Sequence, residues 1–225
     1  VGRERGYHGM NIGCISVGGM INNVKTFASV LMPGVQHMRH THLPEHKFVS
    51  GQPETGADRA DDLERIATNF GPENIAACIV EPIAGSTGTL VPPKGYLQKL
   101  RDTCDKHGIL LIFDEVITGW GRTGSSFASI EYGVTPDIMT MAKATTNGVV
   151  PMGVVACKDE IYDSVMDASP MGSVELFHGY TYSGIPVAVA AALAVQDIFE
   201  KEDIFERAKN LAPYFQKGLF SLQDL

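Results

Sequence analysis

Ile109-Leu110-Leu111-Ile112-Phe113 is an uninterrupted apolar run that ends in Asp114-Glu115-Val116. Further along, Ile138-Met139-Thr140-Met141-Ala142 ends in Lys143-Ala144-Thr145-Thr146-Asn147-Gly148. Neither run alternates apolar with polar residues, as a strand with one wet face would. Short, mostly apolar runs of this kind are what a parallel sheet buried on both faces needs.

A third run, Ile75-Ala76-Ala77-Cys78-Ile79-Val80, leads into Glu81-Pro82. Between it and Ile109 the spacing predicts a helix over Lys94 to His107. Tyr96, Leu97, Leu100 and Cys104 share one face, and Gly108 stops it. Upstream, Asp58 to Asn69 reads as a helix, with Leu63, Ile66, Ala67 and Phe70 at helical spacing and Gly71-Pro72 beyond. Downstream, Pro151 to Cys157 reads as a strand and Lys158 to Met166 as a short helix. Pro186 to Phe199 and Ile204 to Phe220 read as two more helices. Val1 to Asn23, with Gly2, Gly6, Gly9, Gly13, Gly18 and Gly19, reads as turns around short extended pieces. Val24 to Pro53 reads as irregular. Strand and helix in alternation predict an α/β fold, three layers with a mostly parallel sheet covered by helices.

The chain has 225 residues, 44% hydrophobic and 20% charged, which suits one large domain or a domain plus a piece of another. A net charge of −8 argues against nucleic acid and anionic membrane as main partners. No apolar stretch approaches the roughly 18 residues of a membrane span. Cys14, Cys78, Cys104 and Cys157 are scattered without a CxxC and read as free thiols in a reducing, cytoplasmic setting. The glycine-rich opening and the stop after Phe220 lead us to expect a piece cut at both ends.

Ligands of open parallel sheets bind at the carboxyl ends of strands. Glu81, Asp114 and Lys143 each stand where a strand finishes. A buried carboxylate and an amine in one cleft suit pyridoxal phosphate, which needs an acid partner for its pyridinium nitrogen and an amine to carry it as a Schiff base. A partly desolvated lysine is nucleophilic and can move protons once released. Taken singly, Asp114 has ordinary alternatives as a turn residue or a magnesium ligand, and Lys143 as a surface charge. The companion nucleotide motifs, GxxxxGK[ST] and a GxGxxG after a strand, do not occur. Gly119-Trp120-Gly121-Arg122-Thr123-Gly124 reads as a loop that shapes the cleft. His37, His40, His42 and His46 cluster at irregular spacing around Pro44, which reads as a solvated loop; no metal site is expected. Met139 and Met141 are expected to fill core.

Ile112 to Gly124 and Met139 to Gly148 resemble the signatures of class III aminotransferases, fold type I pyridoxal phosphate enzymes. Tyr7-His8-Gly9, Val80-Glu81-Pro82-Ile83 and Gly179-Tyr180-Thr181-Tyr182-Ser183-Gly184 are similar to further family motifs, in the family's order. Ala142 to Gly148 and Leu90 to Tyr96 resemble the ω-amino acid:pyruvate subgroup. The resemblance implies that Lys143 carries the cofactor and Asp114 pairs with its ring nitrogen. It implies that Val116 and Tyr7 lie on opposite ring faces, with His8, Gly9 and Glu81 close by. It implies that Thr181 reaches the phosphate of a neighbouring subunit, so that the enzyme is a homodimer or homotetramer. Tyr7 has a core aromatic, and Thr181 a helix cap, as the plainer alternative.

Two positions depart from the pattern. Ile117 stands where some members have Gln, and Ile185 where many have His. The family's phosphate loop would precede Val1 and its substrate-carboxylate arginine would follow Leu225, so this stretch alone is not expected to turn over. Residues 1–200 are expected to form most of the cofactor-binding large domain and 201–225 to begin a small one. The expected activity is transfer of an amino group from an ω-amino acid or primary amine to pyruvate or a related oxo acid, by a ping-pong cycle. A related aminomutase or decarboxylase, a phosphate-binding α/β domain without pyridoxal chemistry and an inactive binding protein stay open at this point.

Overall fold

The apolar runs form strands, and those strands pair in parallel. The computed structural model describes residues 1–171, 176 and 178–224. Along it lie β1 (Gly2–Arg3), α1 (Ile12–Val17), α2 (Ile21–Phe27), β2 (His37–Met38), α3 (Asp61–Phe70), β3 (Ala77–Val80) and α4 (Tyr96–His107). Then follow β4 (Leu110–Asp114), α5 (Ala128–Glu131), β5 (Ile138–Met141), β6 (Val154–Cys157), α6 (Asp159–Asp167), α7 (Pro186–Lys201) and α8 (Ile204–Phe220).

The sheet order is β3-β4-β5-β6, parallel except for β6, which runs antiparallel to β5. β1 and β2 form a separate parallel pair. Two main-chain bonds dock that pair beside β3: the Val1 amine donates to Ala77 O at 2.7 Å, and Ile79 N to Val1 O at 2.9 Å. The core lies on one face of β3 and β4. Cys78, Val80, Leu111 and Phe113 pack there against Leu63, Ile66 and Ala67 of α3 and Tyr96, Leu97, Leu100 and Cys104 of α4. These are the faces that the helical spacing predicts. Phe70 is the exception: it sits at the last residue of α3 and is half exposed. Gly108 ends α4 in left-handed backbone, φ +66.

The opposite face of the sheet is only half-buried at Ala77, Ile79, Leu110 and Ile112. The later helices bury little, α7 only Ala188, Ala192 and Val195, and α6 and α8 no residue. The α/β arrangement thus stands, with one helix layer tight and the other loose. Met141 is buried, as expected, while Met139 is half-buried.

The first 27 residues differ from expectation: α1 lies within the stretch read as turns, and α2 crosses from it into the stretch read as irregular. Asn11 caps α1, its side chain accepting from Cys14 N at 2.8 Å, and Gly18 closes it. Glycine here serves close approach: a Cβ at Gly19 would collide with the backbone of Arg3 and Glu4. The histidine-rich segment is tied locally. His37 Nε2 meets Gly18 O at 2.9 Å, and His46 Nδ1 accepts from Leu43 N at 3.2 Å. All four cysteines are free thiols. No helix of the described residues is long and apolar enough to cross a membrane.

Asp137 joins three elements just before β5. Its carboxylate accepts from Arg101 of α4 at 2.8 Å, from Leu111 N of β4 at 2.7 Å and from Lys158 Nζ at 2.7 Å. Burial alone would raise this carboxyl, but the bonds from Lys158, the Leu111 amide and Arg101 outweigh it and hold it below its ordinary value of 3.8. Such a group stabilises the fold above the ordinary carboxylate range, and that contribution is lost as pH falls through its depressed folded value. Asp137→Asn should therefore cost about 1–3 kcal/mol at neutral pH. In urea denaturation the gap from the parent protein should close under acid, and a gap unchanged by pH would contradict this account.

Candidate active site

The carboxyl ends of β4 and β5 lie side by side because the register places Asp114 opposite Thr140. Glu115 N donates to Thr140 O at 2.9 Å and extends the pairing by one residue. Lys143 follows Thr140 by three positions and opens a 3-10 turn, Lys143–Thr145. Asp114 and Lys143 therefore emerge at one edge of the sheet, on neighbouring strands.

Asp114 is 6% exposed. Its Oδ1 accepts from Val116 N at 3.1 Å, and its Oδ2 meets His8 Nδ1 at 2.8 Å. An ionised carboxylate only accepts, so His8 carries its hydrogen on Nδ1. His8 Nε2 is buried without a partner. The two bonds leave lone pairs on both Asp114 oxygens, so the carboxylate can accept one more N–H. That is the capacity a pyridinium nitrogen requires. Lys143 is exposed and sits in left-handed backbone at φ +45. For a residue with a Cβ this conformation costs roughly 1–2 kcal/mol. Its amine is not consumed by any ion pair of the described residues.

Glu81 ends β3 and is 4% exposed. Its Oε1 accepts from Tyr7 N at 2.9 Å and its Oε2 from Gly85 N at 2.8 Å. The side chain thus ties two loops together and fixes the backbone of Tyr7. Gly9 holds the next turn at φ +117, open only to glycine at low cost. Val116 and Tyr7 are each half-buried. Ile117 packs its Cδ1 against Gly85, where a Cβ would overlap it. Thr181 is exposed. The helix that follows starts at Pro186 with Ile185 at its N-cap, so Thr181 does not cap it.

Glu115, which the sequence reading left without a role, supports the segment beside the site. It is wholly buried, accepting from Ser129 N at 2.7 Å, from Ala128 N at 3.0 Å and from the Thr118 hydroxyl. Successive side chains leave a strand on opposite sides, so Asp114 and Glu115 serve different environments. The signal available was the acid pair itself, one acid more than a single cofactor partner requires. Among the described residues no group of three possible ligands could hold a metal ion.

The fold is an open α/β domain with polar groups gathered at the carboxyl ends of its parallel strands. By its sequence, which the Aminotransferase class-III family model matches over residues 1–225, the chain belongs to the class III aminotransferases. The "Omega-aminotransferase" of Caulobacter vibrioides is 56% identical over 225 residues, covering 100% of this chain and 51% of that protein. The "Beta-alanine–pyruvate aminotransferase" of Pseudomonas aeruginosa is 49% identical over 99% of this chain and 50% of its own length. Among solved structures, an (S)-enantioselective omega-transaminase from Thermomicrobium roseum superposes with a TM-score of 0.90 at 39% identity, over 100% of this chain and 49% of that one. The omega transaminase of Pseudomonas jessenii in complex with PMP does so at 0.86 and 36%, over 99% of this chain and 49% of its own. The chain spans about half the length of these relatives. The family uses pyridoxal phosphate. A phosphate-binding domain without pyridoxal chemistry is not favoured by the match.

Replacing Glu115 by Ala would strand the Ala128 and Ser129 amides in a dry site. The expected cost is about 2–4 kcal/mol, read as a lowered urea midpoint. Glu115→Gln, which keeps one acceptor, should cost less; equal losses would refute a hydrogen-bonding role.

Proposed function

We propose that this chain supplies the cofactor-binding core of a class III aminotransferase that moves an amino group from an ω-amino acid or primary amine to pyruvate or a related oxo acid. The observation that carries this reading is the emergence of a buried, hydrogen-bonded Asp114 and an uncommitted Lys143 from adjacent parallel strands at one edge.

Pyridoxal phosphate, when bound, supplies an aldehyde that condenses with amines and a ring that accepts the electron pair left when a substrate carbon loses its proton. Lys143 would hold the cofactor through Nζ, and the same amine, once free, would take and return the substrate proton. Asp114 would keep the ring nitrogen protonated, since opposite charges at low dielectric stabilise each other. His8 fixes that carboxylate, with Nδ1 on Oδ2. Val116 and Tyr7 would pack against the flat ring, and Glu81 clamps the Tyr7 and Gly85 amides. The left-handed turn at Gly9 sets the path of the chain beyond the Tyr7–His8 segment.

Thr181 belongs, in this reading, to a neighbouring subunit's phosphate site in a homodimer or homotetramer. The exposure of Tyr182, at 83%, supports an uncovered face in that loop. Residues 1–200 form most of the large domain and 201–225 begin the small one, with Leu225 outside the described residues. Four free thiols, one of them exposed at Cys157, support a cytoplasmic setting.

Borohydride trapping of protein loaded with pyridoxal phosphate should place the label on Lys143 in peptide mass maps. Label that persists at the same level in Lys143→Ala would rule that residue out as the carrier. In full-length protein, Asp114→Asn should keep the label yet lower kcat with amine and pyruvate on the order of 100-fold or more, because preorganised charge at the ring nitrogen is lost. Near-parental turnover in that variant would remove Asp114 from the mechanism.

A further inference from the structure

Trp120 occupies left-handed backbone at φ +60, in the loop after β4. Its N–H donates to Ser126 O at 2.6 Å, which closes the loop on itself. The indole packs against Phe127, centroids 5.1 Å apart, and stacks on Phe199 of α7 at 6.1 Å and 25°. Phe199 meets Phe205 of α8 at 5.3 Å. With aromatic rings packed around it, the indole has a fixed direction for its single donor. That donor, Nε1, reaches Thr145 Oγ1 at 2.9 Å.

Thr145 is 3% exposed, and its hydroxyl donates to Ala142 O at 2.9 Å. A hydroxyl has one hydrogen to give. Here it is committed to the carbonyl immediately before Lys143, while the indole N–H fills a lone pair. The relay runs from the aromatic stack, through Thr145, to the peptide that enters the strained Lys143 backbone. Nothing in the apolar pattern of either strand demands this bond.

We infer that Trp120 is a positioning residue for Lys143: through Thr145 it holds the left-handed turn that presents the amine, and it couples that turn to α7 and α8. This rests on Lys143 being the residue that captures the cofactor. Without the brace the turn samples relaxed backbone, so fewer molecules present Nζ in the capturing geometry, and apparent affinity for pyridoxal phosphate falls in proportion.

Two variants remove the bond while sparing the packing. Trp120→Phe keeps an aromatic ring without the N–H, and Thr145→Val keeps the volume without the hydroxyl. Pyridoxal phosphate is titrated against purified protein, and capture is read as borohydride-trapped label on Lys143. Each variant should weaken capture about fivefold to tenfold, the loss expected of one buried hydrogen bond. The double variant should be no worse than either single one, because both remove the same interaction. Thr145→Ser should stay within about twofold of the parent. If Trp120→Phe does not fold, Thr145→Val against Thr145→Ser makes the same comparison. Capture unchanged in both single variants, or losses that multiply in the double variant, would overturn the brace. Failure of Lys143 itself to take the label would overturn the site reading instead, and the two failures are read on different samples.

Discussion

The parallel pairing of β4 with β5 is the constraint from which the site follows. Its register sets Asp114 across from Thr140, and three further residues bring the chain to Lys143. A slip by one residue would turn Asp114 into the core and Phe113 toward the cleft, since side chains alternate along a strand. Such a slip is blocked from both ends. Asp137 accepts Leu111 N beneath the pairing, and Glu115 N donates to Thr140 O above it. The register is thus fixed by polar groups at the two ends and by packing of Leu111 and Phe113 between them.

Adjacent acids at the end of β4 divide the work. Asp114 accepts one bond on each oxygen and keeps spare acceptor capacity, whereas Glu115 accepts three, two from main-chain amides and one from a hydroxyl. The more bonds a buried carboxylate accepts, the more firmly it anchors the segments around it. Glu81, like Asp114, accepts one bond on each oxygen, but both come from main-chain amides and tie two loops together.

The strands and the longer helices were legible because burial imposes a pattern on them: short apolar runs for β3, β4 and β5, and one apolar face for α3 and α4. The placement of Asp114 and Lys143 at neighbouring strand ends was legible for the same reason, since an ionisable residue ending such a run is conspicuous. What escaped the sequence reading depends on contacts between distant residues. α1 and α2 are too short to show a period, and they are held by the Asn11 cap and by glycines that admit neighbouring backbone. Glu115 could not be told from Asp114 until Ala128 and Ser129 came back to it. The bond from Trp120 to Thr145 joins two loops and leaves no local trace. The half-covered second sheet face likewise cannot be inferred from runs as apolar as those of a fully covered sheet.

That uneven coverage has a consequence for how the molecule comes apart. The aspartate-bearing strand is embedded in the tight layer, while the lysine-bearing turn adjoins α7, which buries little. Regions with few buried apolar contacts open at lower free energy than the core they border. Amide hydrogens around Lys143 should thus exchange with solvent well before those of β3 and β4. Local opening would then expose the lysine-bearing turn to water while the aspartate-bearing strand stays folded.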